Sequence, residues 1–235
     1  MNKSKKVSSV WIMSPQISRF SQARHLPLEW RAFCEVSISI THTGFVSPVI
    51  RNSQDRDKGK IMIILITGAS HTGKTILAQR MLERYGYPYL SIDHLKMGLI
   101  RSGNTNLSPE DDDALKTFLW PIVREMIKTA IENQQNLIVE GCYIPSFWRQ
   151  DFSEQYMPSI KFICLAMTDA YIDAHFDDIK KHESDVETRL FDTDFTASSL
   201  KADNHHYIYE FTQSGEFVTL IDDDYEKSVN TLLNR

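Results

Sequence analysis

The sequence predicts an α/β fold built on a parallel sheet, and three observations carry that expectation. Ile61-Met-Ile-Ile-Leu-Ile-Thr67 is an uninterrupted apolar run rich in β-branched residues, as a strand buried on both faces requires. Short apolar runs recur at Tyr89–Ile92, Leu137–Val139, Ile160–Ala166 and Phe217–Ile221. Segments of helical periodicity lie between them, and strands that alternate with helices pair in parallel through right-handed crossovers.

Each helix has its own signal. The first is expected from Lys74 to about Tyr85, with Ile76, Leu77, Met81 and Leu82 available for packing and Gly86 and Pro88 ending it. Ser108-Pro-Glu-Asp111 reads as a capping box that places Pro109 at the first helical position. From Leu115 to Ile131 apolar residues then keep helical spacing, and Pro121 is expected to kink that helix. The charged stretch from Asp169 to about Gln213 reads as helical, broken near Ser184 and near Asp192–Thr196, with Gly215 stopping it. A short helix follows Ile221.

Composition narrows the function classes. The chain has 235 residues, 42% hydrophobic and 24% charged, which is globular composition and excludes wholesale disorder. No apolar run approaches the ~18 residues that a membrane-spanning helix needs. Three cysteines, Cys34, Cys142 and Cys164, are widely spaced, which fits neither a disulfide framework nor a zinc site and suits a reducing, cytoplasmic setting. The net charge of −5 argues against a nucleic-acid coat. That average hides a split: residues 1–60 carry ten Lys/Arg against four acids, a charge of +6, and the rest of the chain carries −11. A targeting peptide and a basic docking arm are two readings of the leading segment. The reading adopted is an extension, disordered or non-native, ahead of a domain over 61–235. Lys58-Gly59 requires purine-rich codons just before the Met62 codon, as a bacterial ribosome-binding site would, and the first recognisable element starts there.

The strongest chemical signal is Gly68-Ala69-Ser70-His71-Thr72-Gly73-Lys74-Thr75, which matches G-x-x-x-x-G-K-[ST] between a buried strand and a helix. Glycines let such a loop wrap a phosphate chain with its N–H groups pointing inward, and the helix N-terminus adds positive potential. Lys74 is then expected to reach the β/γ-phosphates and the Thr75 hydroxyl to ligate Mg²⁺. Glu140, closing the third strand, is placed to hold a Mg²⁺-bound water. Asp93 follows the second strand, where ligands of open α/β sheets bind, and could accept a proton from an acceptor hydroxyl. Its competing role is N-cap of the next helix. Lys96, Arg101, Arg124 and Arg149 are the cations available to clamp an anionic acceptor.

These residues carry a family resemblance. Met62–Gln79, Asp93 and Leu137–Gly141 together resemble the P-loop kinases of the adenylate-kinase-like group. Ile138-Val-Glu-Gly-Cys-Tyr-Ile-Pro145 is similar to the Glu-Gly segment of 2-phosphoglycerate-kinase-like and uridine-kinase-like proteins. Tyr89-Leu-Ser-Ile-Asp93 resembles the strand-two acid of zeta-toxin-like, chloramphenicol-phosphotransferase-like and shikimate-kinase-like enzymes. The resemblance implies a P-loop three-layer sandwich with strand order 2-3-1-4-5, a helical lid over about 169–213, and Arg189 as a lid cation for the transferring charge. It also implies ATP and Mg²⁺ as donor and cofactor, and a small-molecule acceptor. The chain lacks the Asp-Gly-Phe-Pro-Arg of true adenylate kinases, so AMP is a poor candidate acceptor. The function expected is ATP-dependent phosphoryl transfer. Two alternatives remain open: an ATP-binding switch or slow ATPase, and a toxin-like or nucleic-acid-end kinase.

Overall fold

The computed structural model describes residues 62–181 and 195–234. The segment 1–60, read as a basic extension, and Arg189, read as a catalytic cation, lie outside the described residues. In chain order the elements are β1 (Ile63–Gly68), α1 (Lys74–Tyr85), β2 (Tyr89–Ser91), α2 (Ile92–Arg101), α3 (Asp112–Glu132), β3 (Leu137–Glu140), β4 (Ile160–Met167), α4 (Asp169–Lys181), α5 (Ala197–Gln213), β5 (Val218–Ile221) and α6 (Tyr225–Leu233). Two short 3₁₀ turns, Trp148–Asp151 and Met157–Ser159, lie between β3 and β4.

The strands form one parallel sheet in the order β2-β3-β1-β4-β5, which is the expected P-loop arrangement. All six residues of β1 are buried, the physical reason its sequence is continuously apolar. Ile63 and Leu65 face Leu119, Val123 and Ile127 of α3, together with Ile144 and Trp148. Ile64 and Ile66 face Leu77, Ala78 and Met81 of α1 and Val229 and Leu232 of α6. Helices therefore cover both faces, and β1 is pinned with its carboxyl end aimed at the loop that follows.

Several boundaries differ from the sequence expectation. Helix α3 begins at Asp112, not at Pro109. Half of the anticipated capping box forms, since Ser108 N–H donates to Asp111 Oδ2 at 2.7 Å. It closes only a turn, because Asp111 leaves helical geometry with φ −81° and ψ 53°. The helix then runs through Pro121 as one element of 21 residues. Asp93 does not cap α2; Ser91 holds that position and Asp93 lies in the first turn. Phe217 stays outside β5 and is 73% exposed.

Helix α5 starts from a capping box between Thr196 and Ser199. Its inner face buries Leu200, Asn204, Tyr207 and Phe211. Asn204 is fully buried and both ends of its amide are used: Oδ1 accepts from Met167 N–H at 2.6 Å and Nδ2 donates to Leu200 O at 2.8 Å. The lid expected over about 169–213 includes residues outside those described; within α5, separation from β4 would leave the buried Met167 N–H unpaired, which costs about 1–3 kcal/mol. Among the described residues no helix is long and apolar enough to cross a membrane.

Candidate active site

The site starts where β1 ends. Gly68 has φ 144°, and a Cβ there would lie 2.1 Å from Leu165 O, so only glycine lets the chain turn off β1 against β4. Gly73 has φ 76°, and its Cβ would lie 2.1 Å from the Tyr225 hydroxyl, which donates to Gly73 O at 3.2 Å. Between them Thr72 Oγ1 and Lys74 Nζ both donate to Ala69 O, at 2.8 and 2.7 Å. Lys74 is thus a buried cation folded across its own loop. His71, also left-handed at φ 61°, packs its ring on Phe195 with centroids 4.2 Å apart. Gly73→Ala is expected to lower the melting temperature by roughly 2–8 °C in calorimetry, since left-handed backbone alone costs a non-glycine residue about 1–2 kcal/mol.

Helix α1 begins without a capping side chain and without an acid in its first turn. Its first N–H groups and its dipole are therefore presented to an anion. Next to them Thr75 Oγ1 donates to Glu140 Oε1 at 3.0 Å. Glu140 is buried, and its register partners are Ile66 on β1 and Ser91 on β2. Paired residues of a parallel sheet project to the same side, so Ser91 stands beside Glu140. The Ser91 hydroxyl is buried with no hydrogen-bond partner among the described residues. A hydroxyl, a carboxylate and a second hydroxyl in need of a partner suit a hydrated hard cation such as Mg²⁺, which is bound through few protein ligands plus phosphate and water. Among the described residues no three or more His, Cys, Asp or Glu side chains cluster to hold a metal unaided.

Asp93 lies two residues past β2 and pairs with Lys96 at 3.0 Å. Lys96 Nζ also donates to the Tyr143 hydroxyl at 2.8 Å, and that hydroxyl donates to Asp112 Oδ1 at 3.0 Å. Burial, and then the Cys142, Asp112 and Asp93 groups nearby, hold the Tyr143 phenol protonated by raising its pKa. Burial, followed by the Asp93 charge, pushes the neighbouring Cys142 thiol up to about 11, so it is no nucleophile at neutral pH.

The other anticipated cations are placed elsewhere. Arg149 stacks over Trp148, 4.6 Å from the ring centroid, and both Nε and Nη2 bond the buried carboxylate of Glu216. Glu216 precedes β5, at the amino end of that strand, whereas the loop and Asp93 follow carboxyl ends. Arg124 is held by Glu125 at 2.9 Å and Asp151 at 3.3 Å. Arg101 is exposed at the last residue of α2, about 12 Å along the helix axis from Asp93.

One contact had no signal in the sequence. Asp203 on α5 accepts from Ser70 N–H at 2.6 Å, across 133 residues of chain. It takes an amide that a phosphate would use and adds negative charge at the loop. Asp203→Ala is therefore expected to tighten ATP binding by roughly tenfold or more in a titration, the worth of one hydrogen bond to a charged group that no longer competes.

No protein-family model matches the chain, and no curated protein matches it. Among solved structures it is similar to a gluconokinase from Sinorhizobium meliloti 1021, at 17% identity, over 74% of this chain and 90% of the other, with a TM-score of 0.46. A sugar kinase from Janibacter sp. HTCC2649 matches at 17% identity, over 74% and 93%, with a TM-score of 0.45. A shikimate kinase from Bacteroides thetaiotaomicron matches at 13% identity, over 74% and 97%, with a TM-score of 0.44.

Proposed function

We propose that the chain is an ATP-dependent kinase that transfers the γ-phosphoryl group to a hydroxyl of a small molecule. The observation that carries this reading is the gathering of Lys74, the Thr75–Glu140 pair and Asp93 at the carboxyl ends of β1, β3 and β2. A phosphate cradle, a metal-supporting pair and a carboxylate for the acceptor are what phosphoryl transfer needs, since its catalysis is mostly positioning and charge neutralisation. Mg²⁺, when bound, would supply charge neutralisation for the transferring phosphoryl group. Thr75 and Glu140 would hold it. Lys74 would exchange Ala69 O for the β/γ-phosphates.

In the step itself the acceptor oxygen forms a bond to the γ-phosphorus. The bond from that phosphorus to the β,γ-bridging oxygen breaks, and its electron pair leaves with ADP. The hydroxyl proton passes to Asp93. The finer resemblance, to 2-phosphoglycerate-kinase-like and zeta-toxin-like kinases, belongs to the same proposal. It is supported by the Ser91–Glu140 register, which sets the strand-two and strand-three segments side by side. The reduced thiols Cys142 and Cys164 suit a cytoplasmic setting.

The test is ADP release by the purified chain with Mg·ATP and fractionated metabolite pools. Acceptor-dependent release is the expected result. Slow release that no pool stimulates would favour the switch or slow-ATPase reading instead.

A further inference from the structure

We infer that the acceptor is an uncharged polyhydroxyl compound, a sugar or polyol, rather than a carboxylate or a phosphate ester. The inference rests on the kinase reading and deepens it. It is carried by the chain of contacts Asp93–Lys96–Tyr143–Asp112, which occupies the carboxyl ends of β2 and β3 beside Glu140.

An anionic acceptor needs a cation whose charge is not already compensated. Lys96 is compensated: its ammonium pairs with Asp93 at 3.0 Å and donates to the Tyr143 oxygen at 2.8 Å, which uses two of its three N–H donors, and its side chain is 13% exposed. Among the described residues, the two carboxylates and one ammonium of this cluster sum to a net negative charge. Among the described residues, the other cations anticipated for an acceptor lie elsewhere: Arg149 is bound to Glu216, Arg124 to Asp151 and Glu125, and Arg101 stands at the far end of α2. Bringing a carboxylate or phosphate against such a cluster sets like charges together, which disfavours binding.

Hydroxyl groups meet the opposite conditions. Ionised carboxylates are pure acceptors with several lone-pair sites. Asp93 and Asp112 each use one oxygen, Oδ1, in the contacts above, which leaves the second oxygen of each for a ligand. Two carboxylates joined through one phenol therefore offer spaced acceptors to a molecule that carries several O–H donors. One hydroxyl would sit on Asp93 for transfer, and another on Asp112 for recognition. Asp112 is thus a specificity residue that takes no part in the proton transfer.

The experiment uses the full chain with Mg·ATP and acceptors matched by carbon skeleton. Glucose, sorbitol, ribose and ribitol form the uncharged set; gluconate, glucose 6-phosphate, ribonate and ribose 5-phosphate form the anionic set. ADP release is measured for each, and Mg·ATP affinity is titrated separately. The expected result is acceptor-dependent release confined to uncharged members. Asp112→Asn should then raise KM for them by roughly tenfold or more, with kcat within about twofold, as loss of a charged hydrogen bond in binding requires. Circular dichroism confirms that the variant is folded. Release with the anionic members alone would overturn the inference and leave the kinase standing. Release with neither set would also overturn it, and the Mg·ATP titration would then show separately whether the phosphate loop functions. An Asp112→Asn variant that lost kcat at unchanged KM would remove Asp112 from recognition.

Discussion

Replacing Lys74 by alanine is expected to lower turnover by roughly 10²–10³-fold, the usual cost of removing one preorganised charge from a site where negative charge develops. The preorganisation is visible in the structure. Lys74 is 8% exposed, and its ammonium is already held against the loop by Ala69 O at 2.7 Å. The desolvation of that ammonium is therefore borne by folding rather than by the reaction. On binding, one carbonyl partner is exchanged for phosphate oxygens, which adds the attraction of opposite charges to a bond that the ammonium already assists. The control is Lys74→Met, which keeps the buried stem and removes only the charge. Both variants should lose turnover alike while melting near the wild-type temperature, and steady-state kinetics with calorimetry reads both. Wild-type turnover in Lys74→Met would take Lys74 out of the chemistry.

What the sequence made legible is what is written locally. The buried run of β1 and the loop from Gly68 to Thr75 adjoin one another, and their conformational demands fall on consecutive residues. Gly68 must pass Leu165 O and Gly73 must pass the Tyr225 hydroxyl, so glycine appears at both places and the motif is readable without the partners. Asp93 and Glu140 were readable for a similar reason, as acids placed where strands end. Their partners were not. Tyr143 lies 47 residues from Lys96 and 31 from Asp112, and nothing in the local pattern marks its hydroxyl as the bridge. Arg149 shows the converse error. Read alone it is an available cation, but Glu216, 67 residues away, is buried and demands a counter-charge, since an unpaired buried carboxylate is expensive. Asp203 on Ser70 N–H belongs to the same class of long-range contact. At Ser108-Pro-Glu-Asp111 the local pattern did form its hydrogen bond, yet a turn satisfied it as well as a helix would.

Asp93→Asn is expected to reduce phosphoryl transfer by roughly 10²–10⁴-fold, the range that a positioned general base contributes. The amide keeps the size of the carboxylate and loses its capacity to take a proton, while the phosphate loop, one strand away from β3 and two from β2, is untouched. Mg·ATP affinity should therefore stay within about threefold of wild type. A second effect has to be separated from this one. Asp93 is the ion-pair partner of Lys96 at 3.0 Å, and with asparagine in its place the ammonium retains the Tyr143 oxygen but loses its compensating charge. The double variant Asp93→Asn with Lys96→Met removes that unbalanced cation. If proton acceptance is the role of Asp93, the double variant stays as inactive as the single one, because no group has been restored to take the acceptor's proton. If Asp93 acts only by holding Lys96 in place, removing Lys96 makes Asp93 dispensable, and the double variant is no worse than Lys96→Met alone. Pre-steady-state measurement of the transfer step, beside an equilibrium titration of Mg·ATP, distinguishes the two. Loss of ATP affinity equal to the loss of rate would move Asp93 from the acceptor side to the metal or to the fold.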